Sequence, residues 1–421
     1  MEEKIYDIIG IGIGPFNLGM AAMLEDVPEI SSLFLDENEE FNFHPGLLLP
    51  TARMQVPYYA DLVTIANPQS RFTFHNFLYE QKRFFRFANQ ENNYPLRTEY
   101  NEYLRWAAKQ LPNLKFNQHV TNISFGTHSN IYTVQTPAGK YYARNIVLGT
   151  GEQPHITKPL LKLEAKRVVH SSNYLHHQHR VAQADIITII GSGQSAAEIF
   201  LDLLPVANDL QSLNWFTRSS RFHPMDVSRF TTEMTSGAYI DHFFRLNQRV
   251  RDKTLKSQQY LYKGINAGLL EQINEALYTR MVNGGKNNVT IAANMKLVAA
   301  MELQWEAKLT LRHVETRERL NIKTDMVVAA TGYHYREPAC LAGIEHLIKR
   351  SADGRFDLDR DHSIDERRTV FVQNAGVHTH GFNTADLALG PYRNAEIINS
   401  ILKTERFALE RETGFQQFKV A

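Results

Sequence analysis

The chain has 421 residues, 43% hydrophobic and 11% aromatic, enough for two or three packed domains. Its 46 Lys and Arg against 45 Asp and Glu leave a formal charge of +1, so no broad field exists to gather nucleic acid or an anionic membrane, and neither is expected as a partner. A single cysteine, Cys340, excludes an intrachain disulfide, a thiolate metal cluster and a redox dithiol within one chain. The opening Met-Glu-Glu-Lys runs straight into an apolar strand, without the basic and long apolar regions of a signal peptide. No run approaches the roughly 20 apolar residues of a membrane span. A soluble, cytoplasmic protein is expected.

In chain order, Ile5 to Asn17 (IYDIIGIGIGPFN) reads as a buried strand, a glycine turn and a helix. Gly10, Gly12 and Gly14 permit two registers. Pro15, favoured in a first helical turn, selects Gly12-Ile-Gly14-Pro15-Phe16-Asn17 as the turn. A second strand, Ser32 to Leu35, ends in Asp36, placed to accept hydrogen bonds from a ribose diol. An aromatic-rich stretch follows from Phe41 to Phe87, then a helix over Glu99 to Leu111 and strands over Tyr132 to Thr136 and Tyr142 to Gly149.

Ile186 to Glu198 (IITIIGSGQSAAE) repeats the strand, glycine turn and helix. One such fingerprint is weak evidence, and both third glycines are replaced, by Asn17 and Ala196; two in one chain are much stronger. After the second, Leu213 to Thr217 runs into Arg218, Ser219, Ser220 and Arg221 with no acid at the ribose position. Cations and hydroxyls there suit a 2′-phosphate, hence NADPH rather than NADH; the competing reading is a solvated surface loop. Met225 to Arg280 is polar and helix-prone, an added helical subdomain. Strands resume over Thr290 to Arg312, Asp325 to Tyr333 (DMVVAATGY) and Val370 to Val372, and a last helix starts near Pro391. His378 and His380 lack the acid or cysteine pattern of a metal site, and no metal is expected. Trp106 and Trp215 read as core.

No low-complexity linker separates the two units, so the second is expected to be inserted into the first. The expectation is an α/β chain with two Rossmann-like dinucleotide-binding domains: FAD on residues 1–165 plus 330–421, and NADPH on 166–330, the latter including a small helical substrate subdomain at 225–280. Disulfide reduction, a common use of this cofactor pair, needs two cysteines. The flavin must pass its electrons to oxygen or to a partner.

His44-Pro-Gly46, Met54-Gln55, Tyr103-Leu-Arg-Trp-Ala107, Gly191-Ser-Gly-Gln-Ser-Ala196, Ala330-Thr-Gly-Tyr333 and Thr379-His-Gly381 occur in that order. Together they resemble the lysine/ornithine N-monooxygenase family of siderophore biosynthesis, from about residue 5 to about residue 400. The resemblance implies a homo-oligomeric enzyme, tetramer or dimer, that hydroxylates a primary amine with FAD, NADPH and oxygen, through oxygen added at flavin C4a. It implies a flavin site of Gly12, Gly14, Pro15, Asn17, Asp36, His44, Gln55, Asp386 and Leu387, with Gln55 also serving as the catalytic residue. The implied NADP site comprises Ser192, Gly193, Gln194, Ser195 and Arg218. Without the resemblance, His44 reads equally as a loop histidine and Gln55 as a surface amide.

In that family's amino-acid hydroxylases a lysine shortly after Met-Gln grips the substrate α-carboxylate. Here Met54-Gln-Val-Pro-Tyr-Tyr-Ala60 puts alanine there, Ala388 replaces a carboxylate-binding serine, and Thr232 stands at the amide position. A buried carboxylate without partners costs several kcal/mol. A decarboxylated substrate is therefore expected, putrescine or cadaverine first and histamine next, in a pocket lined by Tyr58, Tyr59 and Thr232. Lysine or ornithine is the alternative should Lys263 supply the anchor. A flavin oxidase releasing peroxide and a non-catalytic protein sensing flavin or NADP would keep both fingerprints, and only an amine-dependent assay separates them.

Overall fold

The apolar runs ahead of the two glycine turns form the middles of two separate parallel sheets. In the computed structural model, which describes residues 4–411 and 414–418, strand Ile5–Ile11 lies parallel to Ser32–Leu35 on one side and Gly139–Leu148 on the other. Leu114–Lys115 extends the first edge. Gly139–Leu148 divides its outer side between two partners. Its first half pairs antiparallel with Ile131–Thr136, which pairs in turn with Asn122–Gly126, and Ile146 to Leu148 pair in parallel with Val370–Val372. A strand from late in the chain thus completes the sheet begun at residue 5. The last helix, Gly390–Leu402, packs on Pro15–Leu24 through Ala395, Ile398 and Leu18, and Asn394 donates to the Phe16 carbonyl at 3.0 Å.

The second sheet is wholly parallel, in the order Val289–Ala292, Ser212–Phe216, Ile186–Ile190, Met326–Ala329, Val168–His170. Its inner strands Ser212–Phe216, Ile186–Ile190 and Met326–Ala329 are almost wholly buried, which is why they read as nearly unbroken apolar runs. Two strand-turn-helix units of this kind make the chain an α/β protein with two Rossmann-type domains. The chain passes between the sheets through Glu152–Pro154 and returns through Tyr333–Tyr335; these two segments pair antiparallel.

Residues 290–312 hold the expected strands, shared between two sheets, whereas 225–280 is organised differently from the sequence reading. Thr290 to Arg312 divides between the edge strand Val289–Ala292 and a separate antiparallel sheet of Met295–Glu302, Ala307–His313 and Arg319–Thr324. The reason is alternation: Leu309 and Leu311 face the core with Val327 and Phe216, while Lys308 and Thr310 between them stay partly exposed. Residues 225–280 form helices Arg229–Thr232, Gly237–Arg245, Gln248–Ser257 and Ala267–Val282, but these do not pack as one unit. Tyr239 and Phe243 cluster with Phe382 from the C-terminal part, whereas Ile273 joins Ile199 and Leu203 over the second sheet.

Candidate functional site

The first glycine turn leaves room where a dinucleotide would need it. Gly12 has φ +84° and a Cβ there would lie 2.5 Å from the Gly149 carbonyl oxygen, so both backbone and space demand glycine. Gly14 differs. It caps helix Pro15–Leu24 with an ordinary φ of −83°, and a Cβ would meet nothing nearer than the Gly149 oxygen at 3.9 Å. Open space over a helix N-terminus with proline at its first position is a seat for an anion. Asn17 is fully buried and faces inward: its Nδ2 donates to the Gly12 carbonyl at 2.8 Å and its Oδ1 accepts from Gln373 at 3.1 Å. It holds the turn to the rest of the sheet and presents no side-chain atom to the cleft. Asp36 Oδ2 accepts from the Ile13 backbone at 2.5 Å, and Oδ1 accepts from the Asn38 backbone at 2.8 Å, so its carboxylate stands beside the turn.

The second turn is built likewise. Gly191 has φ +151° and packs against the Ala330 carbonyl, which a Cβ would approach to 2.1 Å. Trp215, a core residue by sequence, also donates its indole N–H to the Gly191 carbonyl at 2.8 Å. Gly193 caps helix Gln194–Leu203, and a Cβ there would find only the Lys263 carbonyl oxygen at 4.0 Å. Ser192 and Ser219 hydroxyls lie 3.0 Å apart, joining the turn to the cationic loop, in which Arg218 is exposed. Below that loop a cavity of about 540 Å³ is walled by Arg221, His223, Met225, Asp226 and Tyr260.

Between the turns lies an arm, residues 44–55, that reaches from the first sheet into the second unit. Leu47, Leu49 and Ala52 are buried among Val169, Tyr174 and Ile189. At Gly46 the arm touches the Ser172 carbonyl so closely that a Cβ would sit 1.9 Å from it, which is the physical content of the His-Pro-Gly motif. His44 borders the cleft with a left-handed backbone, φ 50°. Crowding by protein and the nearby Arg97 charge push its imidazole down to about 4, so it is neutral at pH 7. At the end of the arm, Gln55 Nε2 donates to the Gly264 carbonyl at 3.1 Å and reaches Gln194 Oε1 at 3.4 Å.

Two residues absent from the sequence reading complete this junction. Arg97, at the start of helix Arg97–Gln110, forms a two-pronged ion pair with Glu198 on helix Gln194–Leu203, at 2.8 and 2.7 Å, and also donates to the Leu47 carbonyl at 2.8 Å. Both side chains are buried. Removing one partner of such a pair costs about 3–5 kcal/mol because it strands a buried charge. The pair spans 101 positions of sequence, and nothing local announces it.

The expected substrate residues are only partly gathered. Tyr58 packs edge-on to Tyr59 and Phe87, and Tyr59 is 45% exposed. Burial and the neighbouring Tyr94, Asp386 and Tyr58 charges raise the Tyr59 phenol. The Asp386 carboxyl is itself pushed up by burial; Oδ1 accepts from the Ala388 backbone at 2.8 Å. Leu387 packs against the first core. Ala60 departs from expectation. It is fully buried, its carbonyl accepts from Tyr100 Oη at 2.7 Å, and its methyl reaches no cleft. The reason is its neighbour Asp61, whose carboxylate accepts from the backbones of Val63, Thr64 and Phe74 and winds the chain inward. Thr232 is exposed and donates to the Arg229 carbonyl at 2.8 Å; among the described residues no hydrogen bond joins it to Tyr58 or Tyr59.

The remaining histidines of the motif loop are engaged within the protein. His378 Nε2 lies 2.7 Å from the Phe356 carbonyl, and His380 stacks on His362 with ring centres 4.2 Å apart. Cys340 is buried, its thiol pushed up to about 11. Among the described residues no group of three or more His, Cys, Asp or Glu is arranged to hold a metal, and no helix is long and apolar enough to cross a membrane.

Residues 4–335 match the family model described as L-lysine 6-monooxygenase/L-ornithine 5-monooxygenase. A putrescine N-hydroxylase of Shewanella oneidensis is 40% identical over 428 aligned positions, covering 99% of this chain and 85% of that protein. The FAD-bound crystal structure of DfoA, the desferrioxamine-pathway cadaverine monooxygenase of Erwinia amylovora, superposes with a TM-score of 0.96 at 39% identity, covering 100% of this chain and 99% of that one. KtzI, an ornithine N-hydroxylase of Kutzneria solved with reduced FAD, NADP+ and L-ornithine, gives 0.87 at 28% identity, covering 95% and 99%.

Proposed function

Because the chain belongs to the L-lysine 6-monooxygenase/L-ornithine 5-monooxygenase family, we propose that it N-hydroxylates a diamine, putrescine or cadaverine, with FAD, NADPH and O₂, in hydroxamate siderophore biosynthesis. Overall, amine, O₂, NADPH and a proton give hydroxylamine, NADP+ and water. FAD, when bound, supplies the redox chemistry, accepting two electrons from NADPH and activating oxygen. In this reading residues 1–165 plus 330–421 carry FAD and 166–330 carry NADPH.

The residues present suit both cofactors. The space above Gly14 and the N-terminus at Pro15 take the flavin pyrophosphate, with Asp36 at the ribose. The matching space above Gly193, with Ser192, Gln194 and Ser195, takes the NADP pyrophosphate, and exposed Arg218 offers its fork to the 2′-phosphate. His44, Gln55, Asp386 and Leu387 border the place where the two meet. An alkylamine has a pKa of about 10.4 in water, so the site must bind it neutral, and removal from water against apolar and aromatic walls favours that form.

One observation carries the choice of a diamine: the expected place of the carboxylate anchor holds Ala60, buried and without charge, next to the exposed Tyr59. A substrate carboxylate finds no charged partner at that position, whereas an amine needs none there. Lys263, the alternative anchor, lies over the Tyr262 ring at 5.1 Å and has Glu152 as an acidic neighbour. The names of the putrescine and cadaverine enzymes among its relatives point the same way. The test is kcat/KM for putrescine, cadaverine, histamine, ornithine and lysine, with hydroxylamine and peroxide both measured. We expect the amino acids to fall roughly 10²-fold or more below the better diamine. A preference for ornithine or lysine sinks the substrate reading, peroxide alone leaves an oxidase, and no turnover leaves a sensor.

A further inference from the structure

One continuous path of side chains joins the helix behind the second glycine turn to the arm of residues 44–55. Glu198 stands one helical turn after Gln194, on the same face of helix Gln194–Leu203. Its two oxygens take both prongs of Arg97 and, at 2.9 Å, the Gln194 Nε2. A carboxylate only accepts hydrogen bonds, so the Gln194 amide must turn its NH₂ toward Glu198 and its oxygen away. That oxygen accepts from the Asn266 backbone at 2.9 Å and faces the Gln55 amide at 3.4 Å. Gln55 in turn donates with Nε2, and its own oxygen has no partner among the described residues.

We propose that Arg97 and Glu198 are positioning residues for hydride transfer. The pair holds the NADP-binding helix against the arm and, with the Asn266 N–H, fixes the polarity of the Gln194 amide that faces Gln55, so that an NADPH seated at the second turn is aligned with the flavin. The proposal rests on the functional reading above. It assigns the ion pair a task beyond packing because the acceptor-only Glu198 carboxylate, together with the Asn266 N–H, sets the Gln194 amide so that its oxygen faces Gln55.

Glu198→Gln keeps the volume but removes the charge and one acceptor oxygen, which loosens both the Arg97 fork and the Gln194 amide. We expect this variant to fold and to retain full FAD by absorbance. Its anaerobic reduction by NADPH should slow roughly 10²-fold, as a misplacement of about 1 Å does, while reduction by dithionite stays at the wild-type rate. Independently of turnover, hydrogen exchange of amides in 44–55 should quicken, with strand Ile5–Ile11 unchanged. An unchanged NADPH reduction rate overturns the proposal. If Glu198→Gln fails to fold, the double variant Arg97→Met with Glu198→Leu replaces the pair by an apolar contact of similar size. A folded double variant reduced as fast as wild type overturns it, and one reduced slowly upholds it. Wild-type protein that takes up FAD yet is not reduced by NADPH at all overturns the functional reading and this role together.

Discussion

Gly12 and Gly14 are two residues apart, yet substitution at each has a different consequence. At Gly12 the positive φ and the Gly149 carbonyl at 2.5 Å mean that any side chain strains the turn itself. At Gly14 the protein leaves the space open. Gly14→Val should therefore yield folded protein with little FAD, measured by absorbance and thermal unfolding, whereas Gly12→Val should lower stability as well. A Gly14→Val protein with full flavin would refute the seat. Arg218 makes a separate prediction. One charge-assisted hydrogen bond to a 2′-phosphate is worth about 1.5–3 kcal/mol, so Arg218→Ala should reduce the NADPH-over-NADH preference tenfold or more, read from the two kcat/KM values. These residues were legible because a glycine turn and a strand end are local patterns. Arg97, Glu198 and the inward face of Asn17 were not, since each is defined by a partner far away in sequence.

The arm of residues 44–55 shows where legibility stops among elements. Its motifs, His-Pro-Gly and Met-Gln, were visible as letters, but sequence offered no account of why glycine stands at 46. The account is a backbone of the other unit, the Ser172 carbonyl, lying where a Cβ would be. Neither side of that contact is a flexible side-chain end, so Gly46→Ala should displace the arm and destabilise the protein by about 1–3 kcal/mol, the range for overpacked contacts. Chemical denaturation measures this, and a variant as stable as wild type would show that the arm yields freely. The helices of residues 225–280 teach a similar point. Their polarity marked them as helical, but where each one packs is set by its apolar residues, Phe243 against Phe382 of the C-terminal part and Ile273 over the second sheet.

For the molecule as a whole, fold class followed from the pairing of two local patterns, and the pH response follows from burial. His362 and His380 stack on each other in the interior, and burial pushes both imidazoles well below their ordinary value. Asp361 favours the His362 cation while Arg393 and Arg360 oppose it, and Glu396 lies 3.1 Å from its Nε2. Below the unfolded pKa of about 6.5 the unfolded chain binds protons that the folded one refuses, so stability falls as pH drops. The slope approaches about 1.4 kcal/mol per pH unit for each histidine. Urea midpoints at pH 7.5, 6.5 and 5.5 should be similar at the first two and lower at the third. A His362→Gln, His380→Gln variant should flatten that decline.

The chain order of the two sheets also has a consequence for synthesis. The second sheet has all its strands once Ala329 has emerged from the ribosome. The first glycine turn waits far longer, because Gln373 must reach Asn17, Val370–Val372 must close the sheet, and helix Gly390–Leu402 must settle on Pro15–Leu24. A nascent or prematurely terminated chain can therefore assemble its nucleotide-binding insert while the seat assigned to FAD is still unfinished. A chain cut short anywhere between residues 330 and 370 lacks Val370–Val372 and Gln373, and on the proposed assignment should not retain flavin.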